Sequence, residues 1–199
     1  MARRSDHSKD ELRALILHSA RRFAEEDGLG GLGARRIARD VGYTPGTIYN
    51  VFGSLDGLIM EVRADALDEL YELSKGIPMD AEPAENLRRL AAAYSGYVIA
   101  HSRLWNVIFE HRPEGDPAPD WYRAKVYRLI NLIEAAIARL FGRGEESARR
   151  HHAWVLWASY HGIVALTVAS QFGNPAALRT LAESLIDNYV HALASRKSG

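Results

Sequence analysis

The chain has 199 residues, in which 25 lysines and arginines cancel 25 aspartates and glutamates, with eight histidines and no cysteine. Balanced charge excludes a nucleic-acid binder acting through bulk positive charge, though not one with a local reading face. The lack of cysteine excludes disulfides, thiolate metal sites and cysteine nucleophiles, and fits the reducing cytoplasm in which the chain is expected to work.

Helical period dominates the chain. Leu12, Leu15, Ile16, Ala20, Phe23 and Ala24 share one face of a first helix over residues 8–27. Gly28-Leu-Gly30-Gly-Leu-Gly33 formally matches the dinucleotide-binding pattern, but that loop must join a strand to a helix. Here a helix precedes it and no strand is in reach, so it reads as a flexible turn. Two short helices follow, over residues 34–41 and 45–51. Ile37, Ala38 and Val41 form the inward face of the first, and Ile48 and Val51 that of the second. Gly42 can take the positive φ that ends a helix sharply, Thr44 is placed to cap the next one, and Pro45 suits its first position. Ala38 is small enough for a close crossing. This is a helix-turn-helix, the unit that sets a short helix into a DNA major groove.

Ser54 is a good cap for a fourth helix carrying Leu55, Leu58, Ile59, Val62, Ala66 and Leu70, which ends at Lys75-Gly-Ile-Pro78. A fifth helix carries Leu87, Leu90, Ala91, Tyr94 and Val98, and a shorter one lies near residues 104–109. Residues 113–119, with three prolines, are the clearest linker. A helix over 121–140 presents Val126, Leu129, Ile130, Ile133 and Ile137. Gly142-Arg-Gly144 breaks it. A long helix over about 145–171 ends at 173–175, and a last one over about 176–194 carries Leu178, Leu181, Leu185, Tyr189 and Val190. The apolar-rich run 153–169 contains Ser159, His161 and Gly162 and falls short of the ~20 residues of a membrane span. Charged residues from Asp6 onward interrupt any leader-like segment behind Arg3 and Arg4. The pattern predicts an all-α chain of about nine helices. An N-terminal three-helix DNA-binding domain takes residues 1–54, and a helical regulatory and dimerisation domain takes residues 55–199.

No lysine or arginine occurs from Val41 to Val62. Base reading therefore falls to Thr44, Gly46, Thr47 and Asn50, with Pro45 opening the helix and Tyr43 at its edge. Threonine bonds several base edges or touches a thymine methyl, and asparagine suits adenine. Arg35 and Arg36 begin the first motif helix and are placed for phosphate contact. Arg39 reads as solvated surface, Phe52 as packing, and Arg3 and Arg4 as an arm that could reach a groove. Adjacent His151 and His152 point about 100° apart on a helix and poorly share one metal. His101 and His111 lack a third ligand, and no H-E-x-x-H or justified Ser-His-Asp order exists. No metal, cofactor or catalytic residue is expected, and the chain is not read as an enzyme. His161, inside an apolar helix, reads either as a satisfied core residue or as the polar anchor of a pocket. Trp105, Phe109 and Trp157 read either as core or as pocket lining.

These motifs point to a family. Ile37-Ala38, Gly42, Gly46-Thr47-Ile48-Tyr49, Phe52, Ser54 and Leu58 resemble the DNA-binding domain of TetR-family transcriptional regulators over roughly residues 8–65. Trp157-Ala-Ser-Tyr-His161-Gly162, and His101-Ser-Arg-Leu-Trp105 with Ile108-Phe109, resemble the WHG-type C-terminal domain of some members. The chain departs from the pattern at Leu55, where a lysine is frequent, and at Val51, where a histidine is frequent. The resemblance implies that the Tyr49 hydroxyl meets a phosphate and that Arg35 and Arg36 approach the DNA backbone. It also implies repression as the sign of control. A homodimer through the last two helices would read a palindromic double-stranded operator. A small-molecule ligand in the C-terminal domain would release it, and Trp105, Phe109, Trp157 and His161 are expected to converge on the ligand cavity. The rivals are a small-molecule-binding protein or enzyme with a vestigial helix-turn-helix, and an architectural DNA binder without a ligand.

Overall fold

The computed structural model describes residues 7–111, 118–168 and 175–196. The arm with Arg3 and Arg4, nearly all of the linker, and the break at 173–174 lie outside them. Among the described residues the chain is all-helical, with nine α-helices and no strand. They are α1 (Lys9–Asp27), α2 (Ala34–Asp40), α3 (Pro45–Phe52), α4 (Leu55–Lys75), α5 (Pro83–Ala100), α6 (Ser102–Glu110), α7 (Asp120–Ala136), α8 (Glu146–Val168) and α9 (Pro175–Ser195). Short 3₁₀ turns, Gly28–Gly31 and Ala138–Leu140, follow α1 and α7. No helix of the described residues is long and apolar enough to cross a membrane.

Local chemistry explains several helix ends. Ser8 starts α1 with a reciprocal capping box: Ser8 Oγ accepts from the Glu11 amide at 3.3 Å, and Glu11 Oε2 accepts from the Ser8 amide at 2.7 Å. Ser54 Oγ accepts from the Gly57 amide at 2.9 Å at the start of α4. Thr44 precedes α3 but does not cap it through its side chain. The Thr47 amide is already held by the Thr44 carbonyl at 2.9 Å, and the Thr44 hydroxyl turns instead to the Thr47 hydroxyl at 3.2 Å. The glycine-rich segment is a tight 3₁₀ turn rather than a loose one. A Cβ at Gly31 would run into the Phe23 carbonyl, so the turn depends on glycine lying directly on α1.

Two compact units emerge. The first comprises residues up to Leu67 together with 101–122; the second comprises 68–100 together with the residues from Arg123 onward. In the first unit α1 packs on α2, α3 and α6, and α2 packs on α3. Ile16, Ile37, Ile48, Leu58, Val62, Leu104 and Val107 are fully buried there. Polar ties pin the same elements. Asp40 accepts from Ser19 Oγ at 2.6 Å and pairs with Arg22 at 2.7 Å. Arg13 donates to the Val51 carbonyl at 3.1 Å, pairs with Glu61, and lies 4.7 Å over the Phe52 ring. Buried His111 meets Asp56 at 2.8 Å, tying the end of α6 to the start of α4.

In the second unit Leu87 and Leu90 of α5, Ile130 and Ala136 of α7, Ala153 and Leu156 of α8, and Ile186 of α9 form one core with Ile137. Asp68 receives Lys125 and Arg128. Glu134, almost fully buried, is paired by Arg149 at 3.3 Å and Arg150 at 2.8 Å. A buried carboxylate is tolerated only with partners of this kind.

Ile48 is completely buried at the α3 contact with α1 and α2. Ile48→Ala is expected to lower stability by about 2–5 kcal/mol, read as a lower urea midpoint with an unchanged m-value.

Candidate nucleic-acid interface

The interface is built on α2, its turn and α3, all within the first unit. Gly42 has φ +76°, and the Tyr43 amide reaches back to the Ala38 carbonyl at 2.8 Å, closing the turn. Ile37 and Ala38 point inward from α2, and Ile48 points inward from α3. The opposite side is left to solvent. Arg35, Arg36, Thr44, Gly46, Tyr49 and Asn50 are exposed, while Pro45 and Thr47 are partly so. Tyr49 is 47% exposed, a large ring presented to water with no core to fill.

The arginines differ from one another. Arg36 pairs with Asp27 at 2.5 Å, lies 3.9 Å from Glu26, and sits 4.0 Å over the Phe23 ring. It braces α2 against the end of α1. The side chains of Arg35 and Arg39 are exposed and make no hydrogen bond or ion pair among the described residues. With Ala38, Gly42, Tyr43 and Pro45 they line an open recess of about 410 Å³ beside the recognition helix. Tyr43 is held from the other side by His7, whose Nδ1 lies 2.9 Å from its hydroxyl. Sequence reasoning set Arg39 aside as solvated surface. Its side chain is exposed here, one turn beyond Arg35 on the same face of α2.

The four aromatic residues expected at a ligand cavity divide between the units. In the first, Trp105 is buried and Phe109 is 42% exposed, with ring centroids 5.7 Å apart. In the second, Trp157 stacks on His161 at 5.6 Å and 14°. Trp154 meets Trp157 edge-on at 5.6 Å. His161 Nδ1 lies 2.5 Å from the Tyr94 hydroxyl, a contact between α5 and α8. Burial holds the His161 pKa below the usual imidazole range, so the ring is neutral at pH 7 and presents polarity without charge. The Tyr160 hydroxyl donates to the Ala91 carbonyl at 2.9 Å. Among the described residues no group of three or more histidine, aspartate or glutamate side chains is arranged to hold a metal ion.

Comparison with known proteins places this geometry. The family profile for bacterial regulatory proteins of the tetR family matches residues 16–62, and the profile for the tetracycline repressor-like C-terminal domain matches residues 87–189. The HTH-type transcriptional regulator Rv1816 of Mycobacterium tuberculosis is 22% identical over 197 residues, covering 83% of this chain and 84% of its own length. Among solved structures, a TetR transcriptional regulator from Rhodococcus sp. RHA1 superposes with a TM-score of 0.66 at 18% identity, covering 96% of this chain and all of its own. The TetR family repressor FadR of Thermus thermophilus, solved in complex with lauroyl-CoA, superposes with a TM-score of 0.63 at 18% identity, covering 91% of this chain and 92% of its own. With both halves matched and a helix-turn-helix presenting a solvent-exposed recognition face, the chain belongs to the TetR family of DNA-binding transcriptional regulators.

Proposed function

We propose that the protein is a homodimeric repressor that binds a palindromic operator and is released by a small-molecule ligand. One observation carries the reading. The exposed face of α3 holds Thr44, Gly46, Thr47, Tyr49 and Asn50, and none of them serves the core. Hydroxyls and a carboxamide at the start of a recognition helix can read base edges, and Tyr49 is placed to donate to a phosphate. Arg35 and Arg39 supply cations beside that helix. Arg36 reaches DNA only by giving up Asp27 and the Phe23 ring, so it adds less.

One such helix reads one half-site, so specificity for a palindrome needs two copies. Leu166 of α8 and Leu181 of α9 are 50% and 51% exposed, and a second copy meeting these helices would cover them. Release follows from linkage. A ligand lowers operator affinity by as much as it prefers the dimer whose recognition helices no longer fit successive grooves. Within the second unit, Trp157 and His161 are the proposed ligand-facing residues, with His161 as a neutral polar anchor.

Selection of bound sequences from random duplex DNA tests the reading as a whole. Two half-sites about one helical turn or more apart are expected; recovery of no shared sequence would overturn sequence-specific binding.

Thr47→Ala and Asn50→Ala are each expected to weaken binding to the selected operator by roughly 1–3 kcal/mol while leaving mixed-sequence duplex binding unchanged, as measured by fluorescence anisotropy.

Arg35→Ala and Arg39→Ala are each expected to weaken operator and mixed-sequence binding together. Each should flatten the plot of log affinity against log salt by about one unit. Arg36→Ala is expected to change that slope least. The same anisotropy titrations between 50 and 200 mM salt decide it.

Leu181→Glu is expected to leave the protein folded, because the position is exposed, and to convert the dimer to the 22.2 kDa monomer in light scattering.

A further inference from the structure

The first turns of α8 and the end of α9 are joined through one imidazole. His152 Nδ1 lies 2.8 Å from the Tyr189 hydroxyl, and His152 Nε2 lies 2.7 Å from Arg196 Nη1. Phe141 lies against the ring at 5.6 Å and His151 at 5.5 Å. Arginine only donates hydrogen bonds and is always charged. The nitrogen that faces Arg196 must therefore carry a lone pair. That leaves the proton on Nδ1, donated to the Tyr189 oxygen. The hydrogen-bond chain runs Arg196 to His152 to Tyr189, and it exists only while His152 is neutral and in the Nδ1–H tautomer.

We propose that His152 is an acid-sensitive latch that fastens the C-terminal turn of α9 to α8. Protonation converts Nε2 from acceptor to donor and sets a second cation against Arg196, with no carboxylate between them among the described residues. Among the described residues, the charged and titratable groups facing the ring are Arg196 and Tyr189 from the end of α9 and His151 from its own helix; Phe141 is apolar. Burial, and after it Arg196 and His151, disfavour the protonated form and together hold the His152 pKa below the usual imidazole value. The sign follows from linkage. The unfolded chain takes up its proton near the ordinary value of about 6.5, and the folded latch does so only at lower pH. The stabilisation is complete above that ordinary value and is lost as pH falls from there through the folded value.

Three proteins test the latch: the full-length wild type, His152→Gln and Arg196→Gln. Glutamine at 152 keeps an acceptor for Arg196 and a donor for Tyr189 but cannot titrate. Imidazole nitrogen NMR on the wild type, with the His152 signal assigned from its loss in His152→Gln, is expected to show the Nδ1–H tautomer at pH 8. The titration midpoint should lie below that of a free histidine and move upward in Arg196→Gln. An Nε2–H tautomer, or a midpoint indifferent to Arg196, would overturn the latch.

The consequence for assembly rests on the proposed dimer through α8 and α9. Sedimentation at pH 7.5 and 5.5 should show the wild type shifting toward monomer at the lower pH while His152→Gln holds. An equal shift in both proteins counts against the latch. A chain that is monomeric at both pH values removes the dimer reading and leaves the tautomer to decide the latch alone.

Discussion

Two helices of seven and eight residues do not persist alone in water; they need a surface to lie on. In this protein α1 provides that surface, and the recognition helix depends on it. Ser19 and Arg22 hold Asp40 at the end of α2, Arg13 holds the Val51 carbonyl near the end of α3, and Arg36 folds back on Asp27 and Phe23. Apolar contact through Ile16, Ile37 and Ile48 supplies the adhesion. The polar ties fix the angle. Adhesion without them would leave a two-helix motif free to rock on α1, and a major groove admits one geometry.

This division of labour explains how a chain of zero formal net charge can serve DNA. Many of its charges are consumed internally. Arg21 pairs with Asp65 and Glu25, Arg88 with Asp187, Arg89 with Asp80, and Arg149 and Arg150 share Glu134. The exposed pairs among these contribute little stability each, but all of them remove cations from the pool that could hold phosphate. What remains beside the recognition helix is a pair of arginines and a row of neutral groups. Attraction to the backbone is then modest and local, and a larger share of the binding rests on base contacts.

The features visible in the sequence are the local ones. Gly42 and Ser54 act within three or four residues of themselves, so their roles followed from spacing alone. The inward faces of α1, α2 and α3 followed from helical period. Thr44 shows the limit of local reasoning: it stands where a cap belongs, yet its own carbonyl already holds the Thr47 amide. What the sequence hid depends on where distant segments meet. Arg36 could not be separated from Arg35 without knowing that the 3₁₀ turn returns Asp27 to it, which in turn rests on Gly31 lying against α1. The partners of His161 and His152 come from α5 and from the end of α9.

Those two histidines also show why residue type alone does not define chemistry. His161 is kept neutral by burial, and its Nδ1 faces a tyrosine hydroxyl, a group that both donates and accepts, so either tautomer satisfies the contact. His152 is kept neutral by burial and then by Arg196, a donor-only neighbour that also fixes its tautomer. An imidazole of the first kind can exchange one polar partner for another at small cost, as a pocket anchor must. An imidazole of the second kind has one permitted state and loses its contact when that state changes, which is the property of a switch. The difference lies in the donor inventory of a single neighbour, and only the packing of α8 against α5 and α9 reveals which neighbour each ring has.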